Sequence, residues 1–499
     1  MQHLLPLLLL LAAPLQAQIH VDDDATGADD GSSWQDAFVD LQSALAAVQA
    51  GQEVWVAEGT YRPSATLDRT ATFLIPQDVA VYGGFAGTET QLADRAGLFG
   101  TTVLTGDLAG DDAPGFVGRA ENSLHVVTGL TGMLLDGFTI TGGNANAGNA
   151  WEQRGGGLRV EFYFIGEVRN CTFVENEARG GGGAVYAWFV IDTYRDCIFL
   201  NNRTDGSGGA IWADGTQTAY AWIEGCRFHG NVARGRGGGA LDLYAGRVLS
   251  TVFSGNSADG CTLGGGAILA YWGQVVNSTL WGNSAVGAGV GTGGILCDAF
   301  ERVHNTILWG NVDDQGTGQS AQIRAPVFFP ETTHSCIEGW DGTLSGGWNL
   351  SADPFFVDPD GPDDLPGTLD DDLRLRRVSP CVDAGDAQRY AEYSGPPVDV
   401  AGAARFVDAL ACDGAGDVLD VGAHERQQVD GTTNHCPRSP RPWASRPSRR
   451  PPARRACRPT TWWSRPARSR GGWVSWSSAR ASTGVSGATA CCASAVRCS

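Results

Sequence analysis

Between Asn170 and Asn311 the chain repeats one phrase: an aromatic residue or leucine, an asparagine three residues later, then a glycine pair. The anchors are Phe173 with Asn176, Phe199 with Asn202, Phe228 with Asn231, Phe253 with Asn256, Leu280 with Asn283 and Leu308 with Asn311, separated by 26, 29, 25, 27 and 28 residues. Gly182-Gly183-Ala184, Gly208-Gly209-Ala210, Gly238-Gly239-Ala240, Gly265-Gly266-Ala267 and Gly293-Gly294-Ile295 keep the same beat. A period of this length marks a stack of like units, none of which buries its apolar side alone.

The local pattern decides what the unit is. Short β-rich runs such as Cys197-Ile198-Phe199-Leu200 and Ala210-Ile211-Trp212-Ala213 lie between the glycines, and no stretch carries helical periodicity long enough for a helix per repeat. Leucine-rich repeats need leucine at several fixed positions, where this chain has glycine and alanine. Two or three short strands per repeat predict an all-β solenoid, one repeat per coil of a parallel β-helix, with each strand pairing to its equivalent roughly 4.8 Å away.

In that frame Phe173, Phe199, Phe228 and Phe253 point inward as a column continued by Leu280 and Leu308. Asn176, Asn202, Asn231, Asn256, Asn283 and Asn311 form a ladder at a turn, each amide bonding its neighbour. Glycine supplies the close backbone approach of the corners.

The alternation of Phe-x-x-Asn with Gly-Gly-Ala-(Ile/Leu/Val) resembles the repeat of bacterial polymorphic outer membrane proteins, which implies a right-handed parallel β-helix. Val54-Trp55-Val56-Ala57-Glu58-Gly59-Thr60-Tyr61 and Val81-Tyr82-Gly83-Gly84-Phe85 resemble the opening coils of pectin-lyase-like β-helices, and Asp136-Gly137-Phe138-Thr139-Ile140-Thr141-Gly142-Gly143 resembles the coil that leads into the repeats. Ser379-Pro380-Cys381-Val382-Asp383-Ala384-Gly385-Asp386, Val398-Asp399-Val400-Ala401-Gly402 and Asp420-Val421-Gly422-Ala423-His424-Glu425 resemble the module that closes choice-of-anchor surface proteins of bacteria. The expected organisation is a signal peptide over 1–17, a β-helix over 18–350 with repeats at about 137–311, a closing module over 351–427, and a basic tail over 428–499.

Leu4 to Leu11 is an apolar run followed by Pro14-Leu15-Gln16-Ala17, the pattern of a cleaved leader, so the expectation is a secreted or outer-surface protein. No later run reaches 18 apolar residues, so no transmembrane segment is expected. All 35 basic residues are Arg; 13 follow Cys436, and no acid follows Asp430. The body thus carries 22 Arg against 55 acids, a net of −33, which repels nucleic acid. The tail, with Arg among Pro and Ser, Trp462-Trp463 and Cys491-Cys492, has neither strand nor helix spacing and reads as disordered, the product of a shifted reading frame in GC-rich DNA. Cys171, Cys197 and Cys226 share one repeat position and are expected as buried structural thiols, while Cys381 and Cys412 permit a bridge in an exported protein.

Counting outward from each glycine motif gives Tyr186 and Trp188, Trp212 and Asp214, Asp242 and Tyr244, Leu269 and Tyr271, Cys297 and Ala299. Tyr186, Trp188, Trp212, Tyr244 and Tyr271 make an aromatic stripe suited to sugar faces, with carboxylates to accept hydroxyl protons. Asp214 and Asp242 fall on adjacent coils at a spacing that admits glycoside hydrolysis. Asp358, Asp360 and Asp363 crowd an acidic loop and are the Ca²⁺ candidates, no other cofactor being expected. His125, His229, His304, His334 and His424 have no nucleophile beside them in a recognisable elbow and read as structural.

Two functions follow. The first is a non-catalytic, monomeric adhesin-like rod that binds polysaccharide or a host or neighbouring cell surface, as the polymorphic membrane protein resemblance implies. The second is a carbohydrate-active enzyme, a polysaccharide lyase or glycoside hydrolase with Asp214 and Asp242 as its acids, as the pectin-lyase-like resemblance implies. Elimination chemistry would need clustered acids for Ca²⁺ and an Arg or Lys base; lysine is absent, and Arg195, Arg227 and Arg234 are not at matching positions in the repeat, which weighs against the lyase.

Overall fold

The computed structural model describes residues 18–427 apart from 96–98, 162–164, 189–190, 215–220, 262, 288–289, 300–301, 327–329 and 408–417. The leader over 1–17 and the tail over 428–499 lie outside the described residues.

The repeat winds into a parallel β-helix. A ten-stranded sheet of strands two to four residues long carries the anchor residues, a seven-stranded sheet of two-residue strands follows the asparagine turn, and an 18-stranded sheet forms the broad remaining wall. In the anchor sheet Phe173, Phe199, Phe228, Phe253, Leu280 and Leu308 pair in register, strand to parallel strand. The same inward row runs back through Ile140, Leu104 and Tyr61 and forward to Ile337, so the column is longer than the repeat that announces it. Successive phenylalanine rings lie 5.1, 4.6 and 4.7 Å apart with planes within 9° of parallel. Those separations match the distance between paired strands, because one rotamer repeated on each coil stacks the rings face over face.

The turn behind the column is held by the six asparagines, all fully buried. Asn231 is representative: its backbone N–H and its Nδ2 both donate to Asn256 Oδ1, at 3.0 and 2.9 Å, and Nδ2 also donates to the Phe199 carbonyl at 2.9 Å. Each amide therefore satisfies the coil on either side, which removes the cost of turn backbone that has no strand partner.

The glycine corner is enforced by space. A Cβ on Gly182 would sit 2.0 Å from the Val185 carbonyl oxygen, and on Gly265 1.9 Å from that of Ile268. The opposite corner, just before the anchor strand, uses left-handed backbone at Asn170, Asp196, Ser250, Asn277 and Asn305, with φ between 46° and 54°. Asparagine and aspartate tolerate that region better than other side chains do.

Cys171, Cys197 and Cys226 are buried free thiols, as expected. Each Sγ donates to the carbonyl two residues earlier, at 3.2, 3.3 and 3.4 Å, and burial pushes the Cys171 thiol up to about 12. Thr251 and Ser278 continue the row with the same bond. Cys412 lies outside the described residues, while Cys381 is a buried free thiol in the same apolar cluster as Cys336.

One outward count needs correction. Ile268 pairs with Ile295, so Gly294 occupies the place of the alanine in the last glycine motif. The outward residues of that coil are Leu296 and Asp298, and Cys297 points inward, fully buried.

After the strand Cys336–Ile337 the chain makes an antiparallel pair, Phe356–Asp358 with Asp372–Leu375, and a short helix, Ala387–Glu392, capped by Asp386. This closing segment lies along the outside of the coils. The Arg227 guanidinium donates to the Val400 carbonyl at 2.7 Å, Tyr390 and Ser250 share a hydroxyl bond of 3.0 Å, and the Ala423 N–H donates to Thr279 Oγ1 at 2.9 Å. Asn305 receives the Asp386 N–H on Oδ1 at 2.8 Å and the Gly422 N–H on its carbonyl at 2.8 Å. Within the segment Arg405 and Glu425 form a 3.4 Å ion pair closed to solvent on both sides.

Candidate functional site: an aromatic face on the broad sheet

The outward row of the broad sheet runs, coil by coil, through Arg159, Tyr186, Trp212, Asp242, Leu269 and Leu296. Strand alternation places these side chains opposite the core residues Val185, Ile211, Leu241 and Ile268. A second outward row two residues further on holds Trp188, Tyr244, Tyr271 and Asp298. The face divides into two halves of different character.

In the first half the aromatics are already occupied. Tyr186 and Trp212 pack with ring centroids 5.0 Å apart, and Trp188 packs on Trp151 at 4.6 Å. The Arg154 guanidinium lies 4.5 Å from the Trp212 ring, 5.0 Å from Trp151 and 5.1 Å from Tyr186, and donates to the Tyr186 hydroxyl at 2.8 Å. Tyr186 is fully buried as a result, so the first ring of the expected stripe is core to a cation and aromatic box and offers no surface to a sugar.

The second half is open at its second row, while Leu269 and Leu296 of the first row are fully covered. Tyr244 and Tyr271 stack at 5.6 Å with planes 27° apart, and Tyr244 is 40 % exposed. Arg236 reaches over Tyr271 at 5.9 Å and pairs with Asp298 at 3.5 Å. Burial of the Tyr271 phenol, then the charge of Asp242, raises its pKa. The arrangement offers a stacked ring pair with two carboxylates and a guanidinium at its border. Such a set takes apolar C–H faces on the rings and hydroxyl groups on the charged rim.

The proposed acid pair fares differently. Asp242 is 7 % exposed, and it stands opposite Trp212 in the ladder. The Asp214 backbone pairs with Trp188, and its side chain lies outside what the structure describes. Four residues were missed from the sequence: Trp151, Arg154, Arg236 and Asp298. A signal for two of them was present, since Arg154 and Arg236 each stand directly before three glycines, at the same corner of different coils.

Two other places hold titratable groups. A recess of about 360 Å³ opens between the outer face of the anchor sheet and the closing segment, lined by Arg227, His229, Asp371 and His424 among others. Burial pushes His229 down to about 3 and His424 down to about 4. His229 Nδ1 lies 2.7 Å from Ser254 Oγ, but Ser254 is fully buried and out of reach of a substrate. The second place is a group of carboxylates at Asp107, Asp111, Asp112 and Glu121, whose oxygens lie within 4.8 Å of one another. Among the described residues Asp358, Asp360 and Asp363 form no such group; Asp363 Oδ1 accepts the Leu365 N–H at 3.0 Å.

Residues 170–187, 196–214 and 250–271 match the Chlamydia polymorphic membrane protein repeat. No curated protein matches the sequence. Among solved structures the chain is similar to the crystal structure of pectate lyase Pel9A, at 16% identity and a TM-score of 0.42, covering 82% of this chain and 96% of that one. It is also similar to a rhamnogalacturonan lyase, at 13% identity and a TM-score of 0.36, covering 72% and 96%. The repeat and the parallel β-helix together support a surface β-helix protein. Among the described residues no helix is long and apolar enough to cross a membrane.

Proposed function

We propose that this chain is an exported, non-catalytic β-helix of the bacterial outer surface that binds polysaccharide on the open half of its aromatic face. The observation that carries the reading is the stacked pair of Tyr244, which is exposed, and Tyr271, which is half-buried, bordered by Asp242, Asp298 and Arg236. Two rings on adjacent coils of a rigid wall are preorganised, so a sugar that stacks on them pays little ordering cost. The charged rim supplies direction for hydroxyl groups without placing two accessible acids across a glycosidic bond, because Asp242 is nearly covered. The outer-surface assignment draws on the polymorphic membrane protein repeat and on the leader-like first 17 residues.

The reading is tested by retention of the purified chain on immobilised polysaccharides. Tyr244→Ala and Tyr271→Ala are expected to weaken retention several-fold, and Asp242→Asn to change it little. Release of products from pectate, alginate or xylan that is abolished by Asp242→Asn would replace this reading with the enzyme.

A further inference from the structure

The strands Thr102–Thr105 and Val127–Gly129 are joined by a long loop that doubles back, and its acids meet there. Asp107 is fixed by the loop itself: Oδ1 accepts the N–H of Gly110 at 2.7 Å and of Asp111 at 3.2 Å, and Oδ2 accepts that of Asp112 at 3.3 Å. Asp111, Asp112 and Glu121 bring their carboxylate oxygens within 4.8 Å of it and of one another. Arg119 lies 3.3 Å from Asp112 and is shared with Glu175 at 3.2 Å. Arg62 donates to the Asp107 carbonyl at 2.8 Å and Arg69 stands near Glu121, so the four acids still outnumber the three arginines about them.

A separate observation points to what is held there. Asn122 is fully buried, and its side chain is turned onto the group, with Nδ2 donating to Asp112 Oδ2 at 2.8 Å and to the Gly142 carbonyl at 2.7 Å. Its Oδ1 has no hydrogen-bond donor. Buried oxygens of Asp112 and Glu121, Oδ1 and Oε1, also lack donors, as does the Oγ of the fully buried Ser123 next in the chain. Buried polar atoms without partners are costly, and here three of them are oxygens of the group or of the amide against it.

We propose that Asp107, Asp111, Asp112 and Glu121 bind one Ca²⁺ that clamps the two ends of this loop together. The ligand set is all oxygen and rich in carboxylate, which suits a hard cation. Their oxygens lie within 4.8 Å of one another, a span that a cation with oxygen ligands at about 2.3 to 2.6 Å can bridge.

The test uses the full chain, stripped with a chelator and transferred to chelator-free buffer, titrated calorimetrically with CaCl₂ and melted with and without 1 mM Ca²⁺ or Mg²⁺. One equivalent of Ca²⁺ and a rise in Tm of several degrees, larger than with Mg²⁺, is expected. Asp111 is exposed, so Asp111→Asn should fold and should lose binding at least tenfold together with the Tm rise. Asp363→Asn should keep both. No Ca²⁺ uptake by the parent chain, or uptake unchanged in Asp111→Asn and Glu121→Gln, overturns the proposal; uptake lost in Asp363→Asn moves the site to the other acidic loop and overturns it equally.

Discussion

Asn311 Nδ2 donates to Gln322 Oε1 at 2.7 Å, so the asparagine ladder ends on a glutamine. Gln322 sits on the short helix Gln319–Gln322 and returns the favour, its Nε2 donating to the Asn311 carbonyl at 3.0 Å and to that of Thr317 at 2.8 Å. It does for the last coil what the next asparagine does for every other. Gln322→Leu strands the buried Asn311 amide and is expected to cost about 2 kcal/mol, read by chemical denaturation. A loss under about 0.5 kcal/mol would mean that the ladder needs no terminator.

The phenylalanine column makes a sharper prediction. Phe228 is stacked on both sides, at 4.6 and 4.7 Å, and fully buried. Phe228→Ala should cost about 3 to 5 kcal/mol through the cavity it opens. Phe228→Leu should cost well under half of that, because Leu280 and Leu308 occupy the same row two and three coils on.

Acid should weaken the fold through His229. Burial, then the Arg227 charge, holds its imidazole near 3, against an ordinary value of 6.5. Above about 6.5 the ring is neutral whether the chain is folded or not, and its titration adds nothing. As pH falls from 6.5 toward 3 the unfolded chain takes up a proton that the folded chain refuses, so stability drops, by up to about 4 to 5 kcal/mol for this residue. The difference in unfolding free energy between pH 7 and pH 4.5 should therefore shrink in His229→Gln. An unchanged difference would show that the ring is protonated in the folded protein.

The two halves of the aromatic face should separate cleanly. Tyr186→Phe removes only the hydroxyl that Arg154 holds and should leave polysaccharide retention alone while costing about 1 kcal/mol of stability. Tyr244→Ala should do the reverse, since Tyr244 is exposed and its loss opens no cavity. Retention that falls in Tyr186→Phe would place the ligand on the wrong half.

What could be read from the sequence was whatever each coil contributes once at a fixed place. Phe173 to Phe253 and Asn176 to Asn311 recur because the parallel register copies them, and both rows stand where the spacing put them. The failures share one cause, a departure from the period. Trp151 and Arg154 come from a loop before their coil, and no neighbouring coil repeats that loop. Ile295 follows a glycine pair as the alanines do, yet it pairs with Ile268, and that single offset turned Cys297 and Asp298 about. Acids showed the limit of density as a guide: Asp358, Asp360 and Asp363 are close in sequence without converging, while Asp107 and Glu121 meet across a loop that no spacing rule describes.

The closing segment alters how such a stack comes apart. A solenoid held only by neighbour contacts can unravel from its end one coil at a time. Here Val400, Tyr390, Ala423 and Asp386 bond to Arg227, Ser250, Thr279 and Asn305, which stand on four successive coils. The segment is a longitudinal splint: the last of these four coils cannot peel away while three more remain tied to the same strip of chain. Those four coils are thereby joined into one cooperative unit, whose amides should exchange with solvent together and more slowly than those of the opening coils.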